Sequence, residues 1–253
     1  MSAPYSIALV NYKTLELTKA CLELLREGLQ GTHVPVVVVD NYSNDESTEY
    51  LRSLDWITLI ERERGEAESG SAAHGRALDL ALAKVDTDYL FVLHTDTFIY
   101  DFDVFRMMME QCRGSNDVAA VGCREQLDRG IVRATWRLVS RLCKHYSRRS
   151  VRAMGMHGKD PKPFRETHLK SFCALWNVRL MKKLGLRFSM DKRNPGYEAQ
   201  ERMQALGYKV RFLSPRKVFS YLDHIQSGTV SAMGGYSTNH RRVHMYKQLM
   251  GGL

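Results

Sequence analysis

Two apolar runs, each ending in a polar knot, constrain this chain more than anything else in it. Val34-Pro35-Val36-Val37-Val38-Val39 runs into Asp40-Asn41-Tyr42-Ser43-Asn44-Asp45, and Tyr89-Leu90-Phe91-Val92-Leu93 runs into His94-Thr95-Asp96-Thr97. A continuous β-branched run without polar alternation is a strand covered on both faces, as in a parallel sheet. Open α/β sheets bind ligands beyond the carboxyl ends of their strands. The two runs therefore predict that Asp40 and Asp96 reach one rim. Carboxylates there suit a nucleotide ribose or base at one point and a divalent cation at another.

The rest of the first half alternates in the same way. Ser6–Val10 reads as a strand, and Thr14 as the cap of a helix carrying Leu17, Ala20, Cys21, Leu24 and Leu25 at helical spacing, stopped by Gly28 or Gly31. A capped helix near 46–54, a strand at 57–60, a helix through Ala77, Leu80 and Ala81, a helix face of Phe102, Phe105, Met109 and Cys112, and a strand at 118–122 complete a doubly wound pattern. Beyond it, 133–149 is an amphipathic helix with Trp136, Val139, Leu142 and Tyr146 on one side. A loop at 155–164 holds Pro161 and Pro163. Strands are expected at 169–176, 210–213 and 218–222, and helices at 178–184 and 197–206. With no repeat and no linker, the expectation is a single α/β domain.

Charge divides the chain more sharply than composition does. Residues 1–128 carry 11 Lys or Arg and 22 Asp or Glu, a net of −11, whereas residues 129–253 carry 26 and 6, a net of +20. The division suggests a nucleotide-binding half at 1–128 and a basic, acceptor-side half at 129–253 of the same domain. A basic surface attracts phosphorylated partners, anionic membranes or nucleic acid. Nucleic acid is the weakest of these, since the first half is acidic and no nucleic-acid motif is present. The five cysteines form no C-x-x-C and are odd in number, which fits buried free thiols in a reducing compartment. Met1–Ser6 shows no signal-peptide pattern and no run approaches the ~20 apolar residues of a span. The expected location is cytoplasmic, peripheral at most to the inner face of a membrane.

The order of several motifs resembles the family-2-type glycosyltransferases of the GT-A fold, over about residues 6–229. Ser6–Tyr12 is similar to the family's first strand with its Asn-aromatic ending, and Val37-Val38-Val39-Asp40-Asn41-Tyr42-Ser43-Asn44-Asp45 to its VVDNxSxD segment. His74-Gly75 sits where the family has an Asn-x-Gly helix start, and His94-Thr95-Asp96 where it has Asp-x-Asp. Cys173–Gly185 is similar to the stretch after the acceptor loop. Glu198–Val210 resembles the segment following the Glu-Asp motif, and Asp223-His224 followed by Gly228-Thr229 resembles the late His with Gly-Ser/Thr. The implied fold is a Rossmann-like, mixed but mostly parallel sheet flanked by helices.

The implied activity is transfer of a hexosyl or deoxyhexosyl unit from a nucleotide-diphosphate sugar to a hydroxyl of a saccharide or lipid-linked acceptor, with inversion, as in polysaccharide biosynthesis. The resemblance implies a donor site of Asn11, Tyr12, Asp40, Asn41, His74, His94 and Asp96. It also implies a divalent cation, Mn²⁺ or Mg²⁺, on Asp96 and His224. His94 replaces the first Asp of Asp-x-Asp and is expected to meet a phosphate or join the metal shell. The Glu-Asp pair falls on Pro195-Gly196, so the base is sought in Glu198, with Asp191 and Glu201 beside it. Arg133, Trp136, Arg137 and Arg141 are expected to meet an anionic acceptor or membrane. The alternatives are a catalytically inactive sugar-nucleotide-binding relative and a sugar nucleotidyltransferase. The latter needs a Gly-rich basic phosphate loop that Asn11-Tyr12-Lys13 does not provide.

Overall fold

A computed structural model describes residues 3–63, 68–126, 130–161, 163–191 and 193–225. Gly228 and Thr229 of the C-terminal motif lie outside the described residues. The elements run β1 (Tyr5–Asn11), α1 (Leu15–Gly28), β2 (Val36–Asp40), α2 (Glu46–Arg52), β3 (Thr58–Glu61), α3 (Gly70–Lys84), β4 (Tyr89–His94), β5 (Thr97–Ile99), α4 (Asp103–Glu110), β6 (Val118–Cys123), α5 (Gly130–Ala153), β7 (Cys173–Asn177), α6 (Val178–Lys183), α7 (Tyr197–Ala205), β8 (Lys209–Leu213), α8 (Pro215–Val218) and β9 (Leu222–His224).

Seven strands form one sheet in the order β3-β2-β1-β4-β7-β6-β8, and β5 pairs with β9 in a separate ribbon. β3, β2, β1 and β4 are parallel, β7 is antiparallel to both β4 and β6, and β8 is parallel to β6. The two apolar runs are therefore central or near-central strands. Alternate residues feed two cores. Ile7, Leu9, Val36, Val38, Phe91 and Leu93 face α1 and α4, where they meet Leu22, Leu25, Phe105 and Met108. Ala8, Val37, Val39, Leu90 and Val92 face α3, α6 and α7, where they meet Leu78, Ala81, Met181 and Met203. Helical cover on both faces explains why these strands contain no polar alternation.

The structure corrects three local expectations. Thr14 makes no side-chain cap for α1; its hydroxyl turns back to Asn11 Oδ1 at 3.4 Å. The apolar 218–222 segment is not a strand. Pro215 opens the short helix α8 at a position where its missing N–H costs nothing, and pairing begins only at Leu222, against β5. Of the cysteines, Cys21, Cys112, Cys123 and Cys173 are buried, but Cys143 on α5 is exposed.

Candidate metal centre and donor site

The carboxyl ends of β1, β2 and β4 lie side by side because the strands are parallel and in register, with Asn11 opposite Asp40 and Val10 opposite His94. Just past β4, the β5–β9 ribbon brings the C-terminal segment to the same rim. Thr97 pairs with His224, and Ile225 N–H donates to Asp96 O at 2.9 Å. His224 Nε2 thus stands 3.2 Å from Asp96 Oδ1, and His94 Nδ1 3.7 Å from the same oxygen. One ligand atom from each of His94, Asp96 and His224 lies within 4.8 Å of the others.

The surroundings set which nitrogens point inward. His224 Nδ1 donates to the Gln126 carbonyl at 3.0 Å, leaving its buried Nε2 with no hydrogen-bond partner. Phe172 stacks on the ring at 4.8 Å. His94 Nε2 is engaged by Ser171 Oγ at 2.8 Å, so Nδ1 is the atom left toward Asp96. Burial pushes His94 down to about 3, against the opposing pull of Asp96, and pushes the neighbouring His74 down to about 4. Neutral imidazoles keep the lone pair that a metal requires. Two imidazole nitrogens and a carboxylate suit Mn²⁺, Zn²⁺ and similar divalent ions better than Mg²⁺. An orphaned buried nitrogen aimed at a carboxylate fits that group. Bonding of the second ring nitrogen to a carbonyl is the usual support of a metal-bound histidine. His74, whose ring meets His94 edge-on at 5.4 Å, adds a second buried nitrogen without a partner.

Asn11 and Asp40 reach the same rim as buried side chains engaged with their neighbours. Asn11 is fully buried; its amide donates to Asp40 Oδ1 at 2.8 Å, Ser43 Oγ at 3.1 Å and Ser47 Oγ at 2.8 Å, and Thr18 donates to its oxygen at 2.7 Å. Asp40, 2% exposed, accepts from Ser43 Oγ at 2.5 Å and Thr48 Oγ1 at 2.8 Å as well. This knot ties the loop after β2 to the loop after β1, where Lys13 N–H also donates to Ser43 Oγ at 3.0 Å. Lys13, Tyr42 and Asn44 are the described non-glycine residues with positive φ, at 53°, 62° and 48°, and all three lie on these loops. Strained backbone of this kind persists where surrounding structure enforces it, commonly at ligand sites. Of the implied donor residues on these loops, Tyr12 and Asn41 are half-buried, nearer the surface than Asn11 and Asp40, and Asn41 receives Arg62 Nη1 at 2.7 Å.

The three candidate bases converge on one cation. Arg193 donates to Asp191 at 2.5 Å, to Glu198 at 3.0 Å and to Glu201 at 2.8 and 2.7 Å. Glu201 also pairs with His168 Nε2 at 2.8 Å, and Arg202 donates to Glu198 at 2.8 Å. The Arg193 guanidinium holds the Glu201 carboxyl at about 2. Ser71 Oγ, on the first turn of α3, donates to the Arg193 carbonyl at 2.7 Å. The acidic cluster and the His74–His94 pair therefore flank the same end of α3.

Arg137 and Arg141 do not present a free basic stripe. Arg137 pairs with Glu125 at 2.6 Å and Arg141 with Glu166 at 2.7 Å, at the wall of a cavity of about 470 Å³ that Arg124, Phe164 and Phe212 also line. Arg133 and Trp136 lie on the exposed side of α5. Sequence reading missed Ser171, Gln126, Phe172 and Arg193. Only Arg193, beside Asp191 and ahead of Glu198, left a signal, as a cation among the candidate bases.

The model of glycosyl transferase family 2 matches residues 6–172. The chain belongs to this family. The structure is similar to a mannosyltransferase, PcManGT from Pyrobaculum calidifontis in complex with GDP-Man and Mn²⁺, with a TM-score of 0.57 at 16% identity over 84% of this chain and 55% of that one. It is similar also to S. aureus TarS residues 1–349, with a TM-score of 0.54 at 13% identity over 92% of this chain and 63% of the other. The complex of that TarS fragment with UDP gives a TM-score of 0.53 at 14% identity. At these identities the likeness is one of fold, the GT-A arrangement expected from the sequence. The family-2 chain spans just over half the length of the PcManGT chain and just under two thirds of the TarS fragment. Comparison with curated proteins returns no match.

Proposed function

We propose that this family-2 chain is an inverting glycosyltransferase that takes a nucleotide-diphosphate sugar and uses a divalent cation held by Asp96, His224 and His94. The observation that carries the reading is His224 Nε2, buried without a partner and turned to Asp96 at 3.2 Å. Family membership and the bound GDP-Man with Mn²⁺ of PcManGT support it. A cation held by these residues would supply neutralisation of the charge that develops on the leaving diphosphate. Of the histidine-rich set, Mn²⁺ is the better match and Mg²⁺ the poorer.

The chain's own groups supply the remainder. The knotted loops after β1 and β2 present Tyr12 and Asn41 to the nucleoside, with Asn11 and Asp40 holding them in place. His74 and His94 line the phosphate side. The acceptor oxygen attacks the anomeric carbon as the bond from that carbon to the diphosphate oxygen breaks. Glu198 takes the hydroxyl proton, with Asp191 and Glu201 as its neighbours, and the nucleoside diphosphate departs. For this step Glu198 must exchange Arg193 or Arg202 for the acceptor hydroxyl. The acceptor is a saccharide or lipid-linked hydroxyl approaching from the basic half.

Titration calorimetry with Mn²⁺ alone, then with a panel of nucleotide sugars, tests the site. Asp96→Asn and His224→Gln are expected to lower Mn²⁺ affinity at least tenfold while the thermal transition is retained. Wild-type affinity in both variants overturns the metal assignment. Donor binding without any donor hydrolysis or transfer supports the inactive-relative alternative instead.

A further inference from the structure

Helix α5 carries seven Lys or Arg and no Asp or Glu over its 24 residues. The structure separates its two sides in a way the basic pattern alone does not. Arg137, Leu138, Arg141 and Leu142 are half-buried, and the two arginines are spent on Glu125 and Glu166. The outward side holds Val132 (83% exposed), Trp136 (74%), Val139 (45%), Cys143 and Tyr146 (55%). Their spacing of four, three, four and three residues places them in one line along the helix. Arg133, Lys144 and Arg149 are exposed beside that line. An apolar line carrying two exposed aromatics, bordered by cations and uncharged residues with no acid among them, is unusual on a face that meets water alone.

We propose that α5 is a docking helix that lays the Val132–Trp136–Val139–Tyr146 line into the surface of an anionic lipid bilayer, with Arg133, Lys144 and Arg149 among the headgroups. The four-three spacing would also fit a helix seam with a second copy. The residues flanking the line argue against that occupant, because they are basic or uncharged and would set like charges against each other in a symmetric pair. Anionic headgroups are complementary to the same residues. Tryptophan and tyrosine are the side chains that settle at a membrane interface. A helix with a basic polar face and an apolar line lies in the plane of the interface, and none of the described helices is long and apolar enough to cross a membrane. The inference does not depend on the transfer chemistry.

The test is co-sedimentation of the full chain with vesicles of phosphatidylcholine alone and of phosphatidylcholine mixed with phosphatidylglycerol, together with tryptophan emission. Binding is expected only to the anionic vesicles, with a blue shift of emission and release in high salt. Trp136→Ser and, separately, Arg133→Glu with Lys144→Glu and Arg149→Glu are expected to lower the bound fraction at least tenfold. All four side chains are exposed, so the melting temperature should not move. Equal recovery on neutral and anionic vesicles, or none on either, overturns the proposal. A concentration-dependent dimer in sedimentation velocity that Trp136→Ser abolishes, without vesicle binding, assigns the line to a second copy and overturns it also.

Discussion

At the scale of single residues, the buried knot of Asn11 and Asp40 behaves as structure that serves a site. Every polar atom on these two side chains has a protein partner, so removing one strands the others. Asp40→Ala is expected to cost about 2–3 kcal/mol of stability in urea unfolding, within the range for a broken buried hydrogen-bond group. Its donor affinity should fall only as the loops after β1 and β2 loosen. Unchanged stability would show that Asp40 is turned toward a ligand and not into the knot. Asp96 and His224 were legible in the sequence because each follows an apolar segment and falls in a recognisable order. Gln126 and Ser171 were not legible. Each acts by orienting one ring nitrogen of a histidine 98 or 77 residues away, and no local pattern records such a contact.

At the scale of elements, α7 is positioned by its N-cap residue as much as by its apolar face. Gly196 has φ of 81°, and a Cβ there would stand 2.9 Å from the Trp176 ring. Gly196→Ala is expected to cost about 1–3 kcal/mol, from left-handed backbone and overpacking together, and to shift Glu198 in the first turn of the helix. Denaturant unfolding beside turnover measures both. The acidic cluster on this helix gives a pH dependence of definite sign. Arg193 holds Glu201 at about 2, below the ordinary ~4.3. Its stabilising contribution is complete above pH ~4.3 and disappears as pH falls toward 2. Arg193→Met should therefore flatten that acid limb, and by a small amount, since the pair is exposed. An acid limb identical to wild type, followed by circular dichroism, would show that the network adds nothing. Helix α5 extends three residues before and four residues past the expected 133–149, and β7 begins at Cys173, four residues after its expected start. Several other periodic elements were readable to within a residue or two because their apolar spacing is strong. β5 and β9 were not, being three residues each and defined only by one another.

At the scale of the whole molecule, the change of charge near residue 128 is not a boundary of the fold. β7, from the basic half, lies between β4 and β6 of the acidic half, and β8 completes the edge. A fragment of residues 1–128 leaves β4 and β6 without the strand that joins them. It is expected to give no cooperative thermal transition, where the full chain gives one. A sharp transition from the fragment would mean that the first half carries its own core. The sequence could announce two polarities, since charge is a sum over residues. It could not announce the interleaved strand order, which is a property of long-range pairing.

The short ribbon of β5 and β9 has one more effect. Asp96 and His224 are 128 residues apart in the chain and meet only across it. The entropy of closing so long a loop is met by folding itself, so a cation bound as proposed would find its ligands already gathered and need not assemble them. The same arrangement makes the pair a certificate of completion. A chain still being synthesised, or one in which β9 has not docked, has Asp96 without His224, and under the proposed function it could not yet use an activated sugar.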